Sequence, residues 1–118
     1  METKTYTGGC HCGKVRFEVN MKIDGAIECN CSHCAIQGAL LAFVPASEFK
    51  LLAGEAALKE YRFNKKVIAH LFCEQCGIEP IGRGKGPDGS EMVAVNLRCI
   101  DGIDLATLTR IPYDGKKL

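Results

Sequence analysis

The sequence predicts a mainly β fold, and three observations carry that expectation. "KVRFEVNM" alternates Val15, Phe17 and Val19 with Lys14, Arg16, Glu18 and Asn20, the period of a strand with one dry face. Other apolar runs, such as "ALLAFVP", "VIAHLFC" and "MVAVNLRCI", have the length of strands and are punctuated by glycine and proline. Helical signals are short, with room for one or two turns after Ser47 and for one turn near the C-terminal end.

Taken in order, the first strand starts directly after the knuckle Gly9 to Gly13. "ALLAFVP" is a second strand, stopped by Pro45. Ser47 and Glu48 open the short helical or turn segment, which runs to Leu51 or Leu52 and closes at Gly54. "ALKEYRFN" and "VIAHLFC" are two strands joined across Asn64 to Lys66, the second delivering the chain into Cys73. "GRGKGPDGSE", with four glycines and Pro87, is a loop or hairpin connection. "MVAVNLRCI" returns as a strand with Val93, Val95 and Leu97 on one face and Cys99 at an isolated position. "DGIDLATLTRIPYDG" supplies a turn, with room for one helical turn, and a short extended tail.

A chain of 118 residues is expected to be one domain, 1–118, that buries about two thirds of its unfolded surface. Ordering that backbone costs on the order of 100 to 200 kcal/mol, so a structural metal contributing about 10 kcal/mol is large beside the net stability. The formal charge of +1, from 15 basic and 14 acidic side chains, argues against a nucleic-acid footprint. Lys65-Lys66 and Lys116-Lys117 read as solvated surface. No apolar run approaches 18 residues, and "METKTYTGG" has no hydrophobic signal segment, so no membrane span and a reducing cytoplasm are expected. In that setting clustered cysteines are metal ligands or redox groups more often than disulfides.

Seven of the eight cysteines are clustered, in "GCHCG", "ECNCSHC" and "FCEQCG". Seven divides into four and three. Cys10 and Cys12 pair with Cys73 and Cys76 as a closed four-thiolate structural zinc site, each pair ending at a glycine, Gly13 or Gly77, suited to a tight turn of positive φ. Cys29, Cys31 and Cys34 form a second zinc site with one position open. Three thiolates blunt the Lewis acidity of a metal, so this site suits an incoming thiol better than activated water. Alternatives stay open at this level: Cys99, His33 or His11 as a further ligand, a redox dithiol at Cys73 and Cys76, or an iron–sulfur cluster.

Taken together, "GGCHCGKVRFEV", "CNCSHC", "HLFCEQCG" and "NLRC" resemble the family of glutathione-dependent formaldehyde-activating enzymes, which includes the centromere protein V domain. The likeness runs from Gly9 to about Ile111, with Ile81 where the family often has an aromatic residue. It implies an Mss4-like fold of small coiled antiparallel sheets around a structural zinc. It also implies that Cys10, Cys12, Cys73 and Cys76 hold that zinc, and that Cys29, Cys31 and Cys34 hold a catalytic one. The implied activity is that of a carbon–sulfur lyase joining glutathione and formaldehyde, a thiol and a small aldehyde, into S-(hydroxymethyl)glutathione. For the proton that the product needs, His33 is the nearest donor in sequence, with Glu79, His70 or water as alternatives. Glutathione's carboxylates would seek Arg62, Arg83, Lys85 or Arg98. The glycine-rich stretch from Arg83 to Gly86 reads as a closing loop or an ordinary turn, and lacks the pattern of a phosphate loop. Two other readings compete: a non-enzymatic zinc module that binds a protein, and a lyase acting on another thiol adduct.

Overall fold

The computed structural model describes residues 3–62, 68–86 and 88–113. The Asn64 to Lys66 junction, the pairs Lys65-Lys66 and Lys116-Lys117, and Pro87 lie outside the described residues. Three strands form one antiparallel sheet: β1 (Lys4–Gly9), β2 (Arg16–Met21) and, at its far edge, Phe49–Ala53. The next elements in the chain are β3 (Ala26–Cys29), the six-residue helix α1 (Ser32–Gln37) and β4 (Leu41–Pro45), so Phe49–Ala53 is β5. β6 (Leu58–Tyr61), β7 (Ala69–Cys73), β8 (Ile81–Lys85), β9 (Glu91–Asn96) and β10 (Arg110–Tyr113) complete a second sheet of order β10-β3-β4-β9-β8-β7-β6. All its pairings are antiparallel except β10 on β3.

Burial explains the register. Val15, Phe17 and Val19 are sealed from solvent, and so are Val93, Val95 and Leu97, so both alternating faces expected from the sequence point into the core. Phe17, Val19, Met21, Leu40, Val44, Ile81, Val93 and Val95 make the main cluster between the two sheets. Each such side chain contributes about 1.5–3 kcal/mol by leaving water. A smaller cluster of Cys10, Val15 and Cys73 is roofed by Leu51, Ala57 and Leu58.

Two local readings change, and the hairpin expected at the glycine-rich stretch is made more definite. The helical segment expected through Leu51 or Leu52 is only the 3-10 turn Ala46–Glu48, and β5 follows it immediately. Phe49 and Leu51 alternate with Lys50 and lie opposite Val19 and Phe17, and the Phe49 ring packs on Phe17 at 5.3 Å, so pairing with β2 overrides the capping signal at Ser47. The glycine-rich stretch is a hairpin whose first half is strand, with Lys85 opposite Glu91. Cys99 lies on the 3-10 turn Leu97–Cys99, capped by Asn96, whose Oδ1 accepts from the Arg98 N–H at 3.1 Å.

Candidate metal centres

The first centre grows from two strand ends. After β1 the chain turns back into β2 through Cys10 to Gly13: the N–H of Cys10 donates to Val15 O at 3.1 Å, and that of Gly13 to Cys10 O at 3.3 Å. After β7 the second knuckle repeats the plan, with Gly77 N–H donating to Cys73 O at 2.7 Å and Cys73 N–H to Ile78 O at 2.9 Å. Gly13 and Gly77 both sit at positive φ, 83° and 80°, where a side chain would strain the backbone. The two knuckles bring Cys10, Cys12, Cys73 and Cys76 together with all four sulfurs within 4.8 Å of one another. Cys10 to Cys12 is 3.5 Å and Cys12 to Cys73 is 3.6 Å, far beyond a disulfide bond of about 2.05 Å. These distances are close to the roughly 3.8 Å edge of a tetrahedron with sulfurs about 2.3 Å from its centre.

The thiols of the quartet perturb one another. Backbone N–H groups of Ile78 and Cys12, with help from the Cys10 and Cys73 thiols, lower Cys76 to about 6. At Cys12 the Lys14 N–H pulls the same way, but desolvation and the other three sulfurs prevail, and its thiol is pushed up to about 11. Burial opposes ionisation of Cys10, but the Val15 N–H and the Cys12 and Cys73 sulfurs outweigh it and lower that thiol too. A positive ion among the four sulfurs would favour their ionised forms further.

The second centre is local. Cys29 ends β3, where β10 lies alongside, Tyr113 opposite Cys29 and Tyr113 O accepting from Asn30 N–H at 3.1 Å. Cys31 is the N-cap of α1, its sulfur accepting from the Cys34 N–H at 3.3 Å, and Cys34 lies in the first turn. At the other end of α1, Gly38 closes the helix in the left-handed conformation, and Arg98 Nε donates to its carbonyl at 3.0 Å. The three sulfurs gather within 4.8 Å of one another and all three residues are half-buried. Burial, then the two neighbouring sulfurs, pushes the Cys34 thiol up strongly. Burial opposes ionisation of Cys31 as well, but the N–H of Cys34 and its sulfur outweigh it and lower that thiol.

Among the described residues no fourth ligand joins this trio. Cys99 belongs to neither thiol cluster, and His11 is exposed in the first knuckle. His33 projects to Glu79, Nε2 to Oε1 at 3.2 Å, and Glu79 Oε2 faces His70 Nδ1 at 3.8 Å. The three candidate proton donors named from the sequence are thus one cluster.

The candidate carboxylate partners separate. Arg62, Arg83 and Lys85 line an open cavity of about 680 Å³ together with Glu55, Glu60 and Glu91, and none of the cysteines borders it. It opens on the Ala69 and Leu71 side of β7, opposite to His70. Only Arg98 sits against α1. Helix α1 itself was not anticipated, although "CSHCAIQG" contains its signals: a capping sulfur at Cys31, helix-compatible Ala35 and Gln37, and a closing Gly38.

Two thiol clusters held on a mainly β framework, each with a geometry that could hold a metal ion, define a class of cysteine-rich proteins. Within that class the chain belongs to the glutathione-dependent formaldehyde-activating enzyme family, whose family model matches residues 5–110. A crystal structure of a Rhodobacter sphaeroides protein, a structural genomics target, superposes with a TM-score of 0.79 at 30% sequence identity, covering 90% of this chain and 97% of that one. No helix among the described residues is long and apolar enough to cross a membrane.

Proposed function

We propose that the protein is a zinc-dependent carbon–sulfur lyase that joins the thiol of glutathione to formaldehyde, giving S-(hydroxymethyl)glutathione, and catalyses the reverse cleavage. The observation that supports this most is the trio itself: three half-buried sulfurs that converge without a fourth ligand among the described residues, in a member of this family. Both donor sets fit zinc, the quartet as a closed structural site and the trio as a site with a vacant position. When bound by Cys29, Cys31 and Cys34, zinc would keep an incoming thiol deprotonated at neutral pH.

The chain's own residues do the rest. The Cys31 cap and the Arg98 to Gly38 hydrogen bond fix both ends of α1, so Cys34 is presented at a constant angle to Cys29 and Cys31. In the forward direction the glutathione sulfur forms a bond to the aldehyde carbon, the carbonyl π pair moves to oxygen, and that oxygen takes a proton. The half-buried trio admits water as its source. Arg98, already on α1, is the guanidinium best placed for a substrate carboxylate.

One observation favours a related activity on another thiol. Arg62, Arg83 and Lys85 face the other side of the sheet from His70, leaving few cations for a substrate with two carboxylates. The test is carbon-13 NMR of labelled formaldehyde with glutathione, cysteine or other small thiols, with and without enzyme. Faster exchange into the hydroxymethyl adduct of glutathione, abolished in Cys31→Ser, supports the main reading. Acceleration with another thiol alone supports the second, and none with any thiol favours a non-enzymatic zinc module.

A further inference from the structure

His33, His70 and Glu79 come from three places, α1, β7 and the loop after Cys76, and meet in the interior. His70 and Glu79 are 8% and 9% exposed. Asn96 holds the loop in place: its Nδ2 donates to Glu79 O at 3.1 Å and its N–H to Pro80 O at 2.9 Å. The two imidazoles lie face to face, centroids 4.0 Å apart and planes 33° from parallel, both beside the same carboxylate.

A buried carboxylate needs a positive partner or full hydrogen bonding. Among the described residues no lysine or arginine is within ion-pair distance of Glu79, and the two imidazoles are the groups that face its oxygens. A hydrogen-bonded relay fits poorly, since 3.8 Å from His70 Nδ1 to Oε2 is beyond the roughly 2.7–3.2 Å of an N–H to O bond. One cation shared by all three groups gives the carboxylate a positive partner and uses the long His70 contact. With nitrogen and oxygen ligands about 2.0–2.1 Å from a tetrahedral ion, neighbouring donor atoms stand roughly 3.3 Å apart. His33 Nε2 and Glu79 Oε1, at 3.2 Å, already have that separation, and all three ligand atoms fall within 4.8 Å of one another.

We propose that His33, His70 and Glu79 form a third metal site, chemically unlike the two thiolate clusters: two imidazoles and a carboxylate that take a divalent first-row transition ion. Nitrogen and oxygen donors suit zinc, cobalt or nickel, whereas softer ions are drawn to the cysteines. Tyr61, half exposed, has its ring 5.9 Å from that of His33 and 6.5 Å from that of His70. The site also joins the two centres mechanically. His33 lies between Cys31 and Cys34, while His70 precedes Cys73 by three residues and Glu79 follows Cys76 by three.

The test fills the thiolate clusters of the full chain with cadmium, removes the excess, and titrates with cobalt(II) while recording the visible spectrum. One cobalt per chain is expected, with the weak ligand-field bands of a nitrogen and oxygen shell and no sulfur-to-cobalt charge transfer. His70→Ala and Glu79→Gln should each weaken it by about tenfold or more. Retention of cadmium and an unchanged circular dichroism spectrum establish that a variant is folded. If His70→Ala does not fold, Glu79→Gln and His70→Gln carry the comparison. Absence of cobalt binding up to millimolar concentration overturns the proposal, as does cobalt that displaces cadmium or binds unchanged in the folded variants. Each readout is independent of whether the trio catalyses any reaction.

Discussion

The two cysteine clusters use one side chain to opposite ends. The quartet draws its sulfurs from the ends of β1 and β7, about sixty residues apart, with Cys10 and Cys73 buried beside Val15. The trio comes from six consecutive positions, and every member is half open to solvent. A cluster that closes a long loop and lies in a core is coupled to folding, whereas a local, accessible one can lose its occupant and leave the sheets standing. The difference teaches that the ligand set alone does not assign a role. Burial and the length of chain enclosed do.

The largest contrast is expected from exchanging one sulfur in each. Cys73→Ser removes a fully buried sulfur of the proposed structural zinc site; a metal-linked term of about 10 kcal/mol is comparable to the whole net stability, so this variant should be unfolded by circular dichroism. Cys31→Ser should keep a cooperative thermal transition and its quartet metal while turnover falls by at least about a hundredfold. Equal unfolding of both would erase the distinction.

A gentler perturbation of the quartet is Gly77→Ala. An added Cβ meets nothing within 4 Å, so only the backbone conformation at φ 80° resists it, at about 1–2 kcal/mol. Thermal melts should show that loss, with the trio's metal content unchanged. On the other side, Arg98→Ala removes the hydrogen bond to Gly38 O, which contributes about 0.5–1.5 kcal/mol. It should weaken metal binding at the trio by roughly tenfold and leave the quartet's affinity intact, as measured by competition with a chromophoric chelator.

The smallest effect concerns the tie beside the first knuckle, where Asp101 pairs with Arg16 and accepts from Thr7 Oγ1 at 2.9 Å. Hydrogen bonds from Arg16 and Thr7 hold the Asp101 carboxyl below its usual range. A depressed folded value means that the stabilisation is present above the unfolded value of about 3.9 and is lost as pH falls through the folded one. Both side chains are substantially exposed, so the difference between wild type and Asp101→Asn should stay below about 1 kcal/mol near neutrality and vanish in acid. Denaturant melts across that range measure it.

Much of this organisation is legible in the sequence because it is local or periodic. The division of cysteines into four and three, the dry faces of β2 and β9, and the turns at Gly13 and Gly77 all follow from spacing and residue type. Where the signal is weak, the reading fails for physical reasons. β1 buries only Gly8 and Gly9, so it has no apolar face to detect. β3 has four residues, and α1 has six with none buried, too few for either period to emerge. β5 follows a genuine capping signal at Ser47, and only Phe17, distant in sequence, decides in favour of a strand. His33, His70 and Glu79 are separated by up to 46 positions. Nothing short of the fold could show that they meet.

The most direct test of the contrast is cadmium-113 NMR of the fully substituted protein, titrated with glutathione. The account predicts a thiolate resonance that does not move, from the quartet, and a second that shifts downfield as the trio gains a fourth sulfur. Two resonances that both ignore glutathione, or movement of the quartet's signal, would contradict it.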